Sequence, residues 1–120
     1  KETFWSALVA LAKKEGHELI LPAPAVFEFL AGNEMNNLPN REKAENLLSD
    51  VIIIDLDKKI AEKAADLFRE YQVEIGVIDY FLAATAITTE GELATLNIKH
   101  FKVFKNLRFF NLKTLEDLIK

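Results

Sequence analysis

Residues 77–97 have the sequence VIDYFLAATAITTEGELATLN, in which a helical pattern is followed directly by an extended one. Val77–Thr88 is rich in alanine and apolar on most sides, which predicts a helix in the centre of the fold. Gly91 breaks this helix, and Glu92–Leu96 is predicted to be a strand. This succession of a buried helix and a strand restricts the fold more than any other stretch of the chain.

Helical and extended patterns alternate outward from this stretch, which indicates an α/β domain with a mostly parallel central sheet and helices on both faces. Val51–Ile54 is the clearest strand, since β-branched residues in succession suit a strand buried on both faces. Asp57 is predicted to cap the helix that follows. The apolar stripe of that helix consists of Ile60, Ala61, Ala64, Ala65 and Phe68. The other predicted elements are helices at residues 4–16, 23–32, 41–49 and 114–119, strands at 18–21 and 107–110, and a polar loop at 33–40.

Length and composition suit a single domain that spans residues 1–120, since 50% of the 120 residues are hydrophobic. The chain contains no cysteine, which excludes disulfides and zinc–thiolate sites and fits a reducing cytoplasm. No apolar run approaches the roughly 18 residues that span a bilayer. We therefore expect a soluble, cytoplasmic protein.

The charge of the chain is unevenly distributed. The net charge is −4, which argues against simple electrostatic wrapping of nucleic acid. From Lys99 to the end, however, six basic and two acidic residues give a local charge of +4, whereas nine basic and seventeen acidic residues precede them. Lys99, Lys102, Lys105 and Arg108 fall in a stretch without any acid. That stretch is either a solvated basic surface or a contact for a nucleic-acid backbone.

Composition excludes most catalytic arrangements. Histidine occurs only at His17 and His100, no serine lies in a GxSxG elbow, and the four glycines are too dispersed for a phosphate-binding loop. The chemistry of the chain is therefore expected to depend on carboxylates.

Three oxygen-bearing side chains are distinguished by their surroundings: Glu28 lies within an apolar helix, Asp79 in the first turn of the central helix, and Asn97 directly after a strand. Each has an ordinary structural explanation, namely a helix polar face, a favourable helix dipole and a turn. Asp79 and Asn97 are nevertheless both expected near the carboxyl ends of parallel strands, where ligands bind. Carboxylate and amide oxygens suit Mg²⁺ or Mn²⁺.

Residues 79–86 and 95–101, DYFLAATA and TLNIKHF, together resemble the paired signature of PIN-domain ribonucleases, particularly the VapC-type toxins of toxin–antitoxin pairs. Those proteins show D-x-x-[IL]-A-A-T-A, followed by a strand that ends in T-x-[ND]-x-[KR]-[HD]-F. Residues 25–32 likewise resemble the acidic helix of the family. The resemblance extends from residue 19 to the end of the chain and implies a PIN-like fold.

The resemblance implies that Glu28 and Asp79 bind the metal and that Asn97 occupies a position at which the family accepts aspartate or asparagine. Thr95 matches a hydroxyl near the same site, which completes the implied catalytic set. The residues implied to contact substrate at the rim are Lys99, His100 and Lys102. Thr95 and His100 also have simpler explanations, a strand-end hydrogen bond and a cap for the turn before Phe101.

The sequence departs from the family at its start. PIN domains begin with a central strand that carries an aspartate, typically within D-[TS]-[NS], whereas this sequence starts at the helix that follows, and its first aspartate is Asp50. We therefore expect residues upstream of Lys1 to supply that strand and the first metal ligand. A separate fragment that supplies them, or their loss, are the alternatives.

The function that the resemblance implies is that of a VapC-like endoribonuclease, which uses Mg²⁺ or Mn²⁺ to hydrolyse RNA phosphodiester bonds and pairs with a cognate antitoxin protein. A homodimer is expected because Phe4 and Trp5 do not both fit one small core. The alternative is a non-catalytic PIN-like binding module that acts through protein partners. A third hypothesis, an unrelated flavodoxin-like domain, would depend on Asp55 at the end of a strand.

Overall fold

The computed structural model describes residues 4–95 and 97–111, with side chains from Ser6 onward. The described residues form two compact units, one of residues 4–54 and the other of residues 55–95 and 97–111. Helices dominate both units and both described strand pairs are parallel, so the predicted α/β class is confirmed. The closing helix predicted at residues 114–119 lies outside the described residues.

The first unit contains α1 (Phe4–Glu15), β1 (Ile20–Pro22), α2 (Ala23–Leu30), a 3₁₀ helix (Asn33–Asn36), α3 (Leu38–Leu48) and β2 (Ile52–Ile54). The first helix ends as predicted, because Gly16 adopts a φ of +75° and the N–H of His17 then donates to the carbonyl of Ala12 at 2.8 Å. The second helix also lies where it was predicted, with a proline in its first turn.

The polar loop predicted at residues 33–40 is wrong at both ends. Residues 33–36 form the 3₁₀ helix, and α3 begins at Leu38, three residues before the predicted start. The side chain of Asn37 accepts a hydrogen bond from the N–H of Asn40 at 3.1 Å, and a proline occupies the first turn. Asparagine and proline in these positions start a helix, although the same residues are equally common in turns.

The prediction that Val51–Ile54 is buried on both faces is also wrong for the described residues. Within them, β2 pairs only with β1, with Ile20 opposite Ile52, and Ile52 and Ile53 are 43% and 39% exposed. Only Val51, just before the strand, is buried. A run of β-branched residues indicates a strand but does not reveal how many neighbours cover it.

The second unit contains α4 (Lys58–Tyr71), α5 (Val77–Thr89), β3 (Glu92–Leu93), α6 (Ile98–Phe101) and β4 (Arg108–Phe109). β3 pairs in parallel with β4, with Leu93 opposite Phe109. Both strands are shorter than predicted, and α6 was not predicted from the sequence. In the described part of the chain, no helix is both long enough and apolar enough to cross a membrane.

The predicted cap of α4 is confirmed, since the carboxylate of Asp57 accepts from the N–H of Ile60 at 2.9 Å. The predicted apolar stripe of α4 is partly wrong, because Ala61, Ala65 and Phe68 are exposed. Instead, the helix buries the face formed by Ile60, Ala64 and Leu67. Within the second unit, the helix α5 packs against α4 and β3 and is buried as predicted. Its buried residues are Tyr80, Ala83, Ala84, Thr85 and Ala86.

The buried hydroxyl of Thr85 on α5 leads us to predict that a substitution at this position stabilises the protein. The residue is 3% exposed, and its Oγ1 has no hydrogen-bond partner among the described residues. A buried hydroxyl without a partner costs about 1–3 kcal/mol, and valine has almost the same shape. We therefore expect Thr85→Val to leave the free energy of unfolding in urea unchanged or to raise it by about 1 kcal/mol.

Thr89→Val provides the matched control one turn later on the same helix. The hydroxyl of Thr89 donates to the carbonyl of Thr85 at 2.7 Å, so its loss should lower the free energy of unfolding by about 0.5–1 kcal/mol. A larger destabilisation by Thr85→Val than by Thr89→Val would mean that the Thr85 hydroxyl has a partner.

Candidate active site

Asp79 lies in the first turn of α5 and is partly buried. The helix begins after Gly76, which provides no side-chain cap. No basic side chain of the described residues forms an ion pair with Asp79, and none donates a hydrogen bond to it. The positive end of the helix dipole stabilises a carboxylate at this position. Both carboxylate oxygens remain available to a ligand.

The first turn of α5 is held by the next residue, Tyr80. Its ring is buried, and its hydroxyl donates to the carbonyl of Val73 at 2.6 Å. This bond links the loop before α5 to the helix itself. Asp79 therefore does not need to hold the helix start, since Tyr80 does so.

Thr95 and Asn97 form a tight turn after β3. The N–H of Asn97 donates to the hydroxyl of Thr95 at 3.0 Å, and the carbonyl of Asn97 accepts from the N–H of His100 at 2.9 Å. The side chain of Asn97 is exposed and does not cap α6. The simpler explanation of Thr95 is thus observed, since its hydroxyl accepts a hydrogen bond within the turn. The side-chain amide of Asn97 lies exposed to solvent in this turn.

The segment of residues 98–108, here called the basic segment, has a period of three. Its buried residues are Phe101, Phe104 and Leu107. Its exposed basic residues are Lys99, Lys102, Lys105 and Arg108. The three lysines form no ion pair within the described residues, whereas Arg108 donates to the carbonyl of Glu90. The pattern holds the lysines on the solvent side of the segment, and His100 is exposed among them.

An aromatic cluster of Phe68, Tyr71, Tyr80 and Phe104 lies beneath the basic segment. The ring of Phe104 meets those of Tyr71 and Tyr80 edge to face, with centroids 5.1 and 5.9 Å apart, and Phe68 meets Tyr80 at 5.6 Å. The hydroxyl of Tyr71 accepts a hydrogen bond from the N–H of Lys105 at 3.1 Å. Sequence reasoning missed this cluster, because no local pattern connects residues 34 positions apart.

Glu28 lies on α2 in the first unit. The apolar helix around it does not bury it: Glu28 is exposed, and the adjacent Phe27 is 73% exposed. No ion pair involves the Glu28 carboxylate within the described part of the chain. Glu28 thus resembles Asp79 in having carboxylate oxygens that no base neutralises.

The donor set fits a hard divalent cation. Within either unit, no three or more histidine, aspartate or glutamate side chains of the described residues converge closely enough to hold a metal ion. Mg²⁺, however, keeps several water ligands and commonly uses one or two carboxylates together with substrate phosphates. Asp79 and Asn97 carry side-chain oxygens that no described base competes for. The second unit is therefore an α/β scaffold whose central helix begins with a carboxylate that no described base neutralises.

Comparisons with known proteins identify the family of this scaffold. The PIN domain family model matches residues 2–106. Ribonuclease VapC19 of Mycobacterium tuberculosis is 30% identical over 105 residues, which cover 86% of this chain and 84% of that protein. Ribonuclease VapC10 of the same species is 34% identical over 100 residues, which cover 81% and 72%, respectively. The chain belongs to the PIN domain family.

A solved structure supports the same assignment. The crystal structure of VapBC2 from Rickettsia felis, bound to a DNA fragment from their promoter, matches with a TM-score of 0.73 and 27% identity. The match covers 92% of this chain and 86% of that chain. The family resemblance that the motifs indicated, and the PIN-like fold that it implied, are thus confirmed.

The turn after β3 generates a prediction about Asn97. Thr95→Val removes the acceptor of the main-chain N–H of Asn97. We therefore expect the hydrogen of this N–H to exchange with solvent faster, as measured by nuclear magnetic resonance. The turn is largely exposed, and water can replace the acceptor, so the free energy of unfolding should fall by no more than about 1 kcal/mol. Thr95→Ser keeps the hydroxyl and should restore slow exchange. Equal exchange in all three proteins would contradict this role of Thr95.

Proposed function

We propose that this protein is a VapC-like endoribonuclease, a PIN-domain hydrolase that cuts RNA phosphodiester bonds. The observation that carries the proposal is Asp79, a partly buried residue at the start of the central helix whose carboxylate has no basic partner among the described residues. Two relatives that align over most of this chain are named ribonucleases. The whole chain is proposed to act as a single PIN domain.

The proposed cofactor is Mg²⁺ or Mn²⁺, held by Glu28, Asp79 and Asn97. All three side chains offer oxygen ligands, as these ions require. When bound, such an ion lowers the pKa of a coordinated water and neutralises negative charge that develops on a phosphate. Glu28 and Asp79 have the necessary free carboxylates, and the Thr95 hydroxyl keeps the Asn97 amide in its exposed position.

Lys99, His100 and Lys102 are proposed to contact the RNA. Hydrolysis forms a bond from a water oxygen to phosphorus and breaks the bond to the leaving oxygen, so negative charge is present throughout the reaction. Exposed ammonium groups hold a phosphodiester backbone without reading its bases. The acid-free basic segment supplies them in a protein whose net charge is −4.

Protein partners are proposed as well. Each unit exposes large apolar side chains, among them Phe27 and Leu38 in the first unit and Phe68 and Val77 in the second. Such residues commonly mark protein contacts when they cluster. The solved relative is a VapBC assembly, and we propose that a cognate antitoxin binds this chain, which itself forms a homodimer and acts in the cytoplasm.

Removal of the Asp79 carboxylate is the direct test of the proposed activity. Asp79→Asn keeps the size of the side chain but removes the negative charge that would bind the cation. We expect kcat/KM for a short RNA in Mn²⁺ to fall by at least about a hundredfold, equivalent to several kcal/mol of transition-state stabilisation. Thermal unfolding should change little, because Asp79 has no described partner.

Glu74→Gln is the matched control for this experiment. It removes another carboxylate from the second unit, exposed in the loop before α5 and without an ion pair among the described residues. The control should cut RNA like the wild type, and Glu28→Gln should be as inactive as Asp79→Asn. Metal-independent cleavage, or full activity of Asp79→Asn, would contradict the proposal and favour a binding module.

The RNA contact makes a separate prediction. Lys102→Ala should weaken RNA binding about equally for all sequences, because a phosphate contact carries no base information. The slope of log K against log salt should decrease in magnitude by about 0.7 if one single-strand phosphate contact is lost. Fluorescence anisotropy at several salt concentrations measures both quantities. Lys43→Ala, an exposed lysine on α3 without a described ion pair, should change neither, and an unaltered slope in Lys102→Ala would contradict the contact.

A further inference from the structure

The basic segment is linked to α4 by a hydrogen bond in which Tyr71 is the acceptor. Tyr71 is the last residue of α4, and its hydroxyl accepts from the main-chain N–H of Lys105 at 3.1 Å. Lys105 lies in an irregular turn after α6, between the buried residues Phe104 and Leu107. The main-chain hydrogen bonds of this turn, from the N–H of Lys102 to Ile98 and from the N–H of Phe104 to Phe101, both end before Lys105. The Tyr71 hydroxyl is therefore the described partner of the Lys105 N–H and has a large share in fixing the second half of the turn.

The conformation of this turn is also an uncommon one. Asn106, which follows Lys105 directly, has a φ of +67°, in the left-handed region that most residues avoid. Asparagine tolerates that region better than most side chains, but the surrounding contacts must still hold it there. The hydrogen bond from the N–H of Lys105, one residue before Asn106, to the Tyr71 hydroxyl is such a contact.

The ring of Tyr71 extends the link to the helix that carries Asp79. It packs edge to face on Phe104, with an angle of 89° between the rings, and Phe104 packs in turn on Tyr80. Tyr80 follows Asp79 in the chain and also holds the loop before α5 through Val73. One set of contacts therefore connects Lys105 with the first turn of α5.

We propose that Tyr71 is a positioning residue, whose hydroxyl holds the turn of Lys102–Asn106 so that its ammonium groups face the RNA backbone before RNA binds. This inference rests on the proposed function. An ordered turn loses less conformational freedom on binding than a mobile one, and affinity gains by that difference. Tyr71 acts through the lysines and touches neither the reacting phosphate nor the cation ligands.

Tyr71→Phe tests the proposal because it removes only the hydroxyl and keeps the ring on Phe104. We expect KM for a short RNA to rise about three- to tenfold, the range for loss of one hydrogen bond, with kcat and the melting temperature unchanged. The amide of Lys105 should exchange with solvent faster in the variant. The split between KM and kcat separates positioning from a general loss of folded protein, which would lower the apparent kcat.

Tyr80→Phe is the matched control, since it deletes the other tyrosine hydroxyl of the same aromatic cluster. That hydroxyl bonds Val73 and not the basic segment, so its loss should lower the melting temperature and leave the exchange of the Lys105 amide unchanged.

Two results would overturn the proposed role of Tyr71 without contradicting the nuclease activity, which the loss of cleavage in Asp79→Asn tests separately. One is a KM within twofold of the wild type in Tyr71→Phe. The other is a fall in kcat together with the melting temperature and no change in KM, which a purely structural residue would give. A wild-type protein that neither binds nor cuts RNA would overturn the proposed function and this inference together.

Discussion

The burial of α5 is the constraint on which the second unit depends. Ala83 and Ala84 have no exposed surface, and such small side chains allow neighbouring elements to approach the helix closely. Because the middle of the helix is fixed, both of its ends are fixed as well. The first turn carries Asp79, and the other end continues through Glu90, with a φ of 59°, into β3 and the turn of Thr95 and Asn97. A buried helix of alanines thus determines where Asp79 and the turn of Thr95 and Asn97 lie.

Local patterns predicted what local forces determine. The cap of Asp57 and the end of α1 at Gly16 depend on residues within one turn, and both are confirmed. The burial of α5 is confirmed as well, because a helix that is apolar on most sides is buried whichever neighbours cover it. The predictions failed where tertiary neighbours decide. The isoleucines of β2 indicated a strand, but their exposure depends on how many strands lie beside it. On α4 the alanines fit either face, and the larger Ile60 and Leu67 determine which one is buried.

The same distinction applies to the candidate site. Asp79, Thr95 and Asn97 belong to motifs of fixed spacing, and the bond between Thr95 and Asn97 spans only two residues, so the sequence indicates all three as candidates. A similar motif makes Glu28 a candidate, but its exposure depends on packing that the motif does not encode. Tyr71 and Lys105 are 34 residues apart and belong to no motif, so only the fold brings them together. Sequence patterns therefore indicate the groups that carry chemistry more readily than the groups that position them.

Charge segregation explains how an acidic protein is suited to a polyanion. At physiological ionic strength, charges farther apart than about 8 Å are largely screened, so the net charge of −4 matters less to RNA than the charges beside it. Free carboxylates that hold a cation would repel phosphate if they were the only charges nearby. The period of three in the basic segment resolves this conflict, because Phe101 and Phe104 fix the chain while Lys99 and Lys102 remain exposed. The residues that complete the core of the second unit are thus the same ones that keep its lysines exposed.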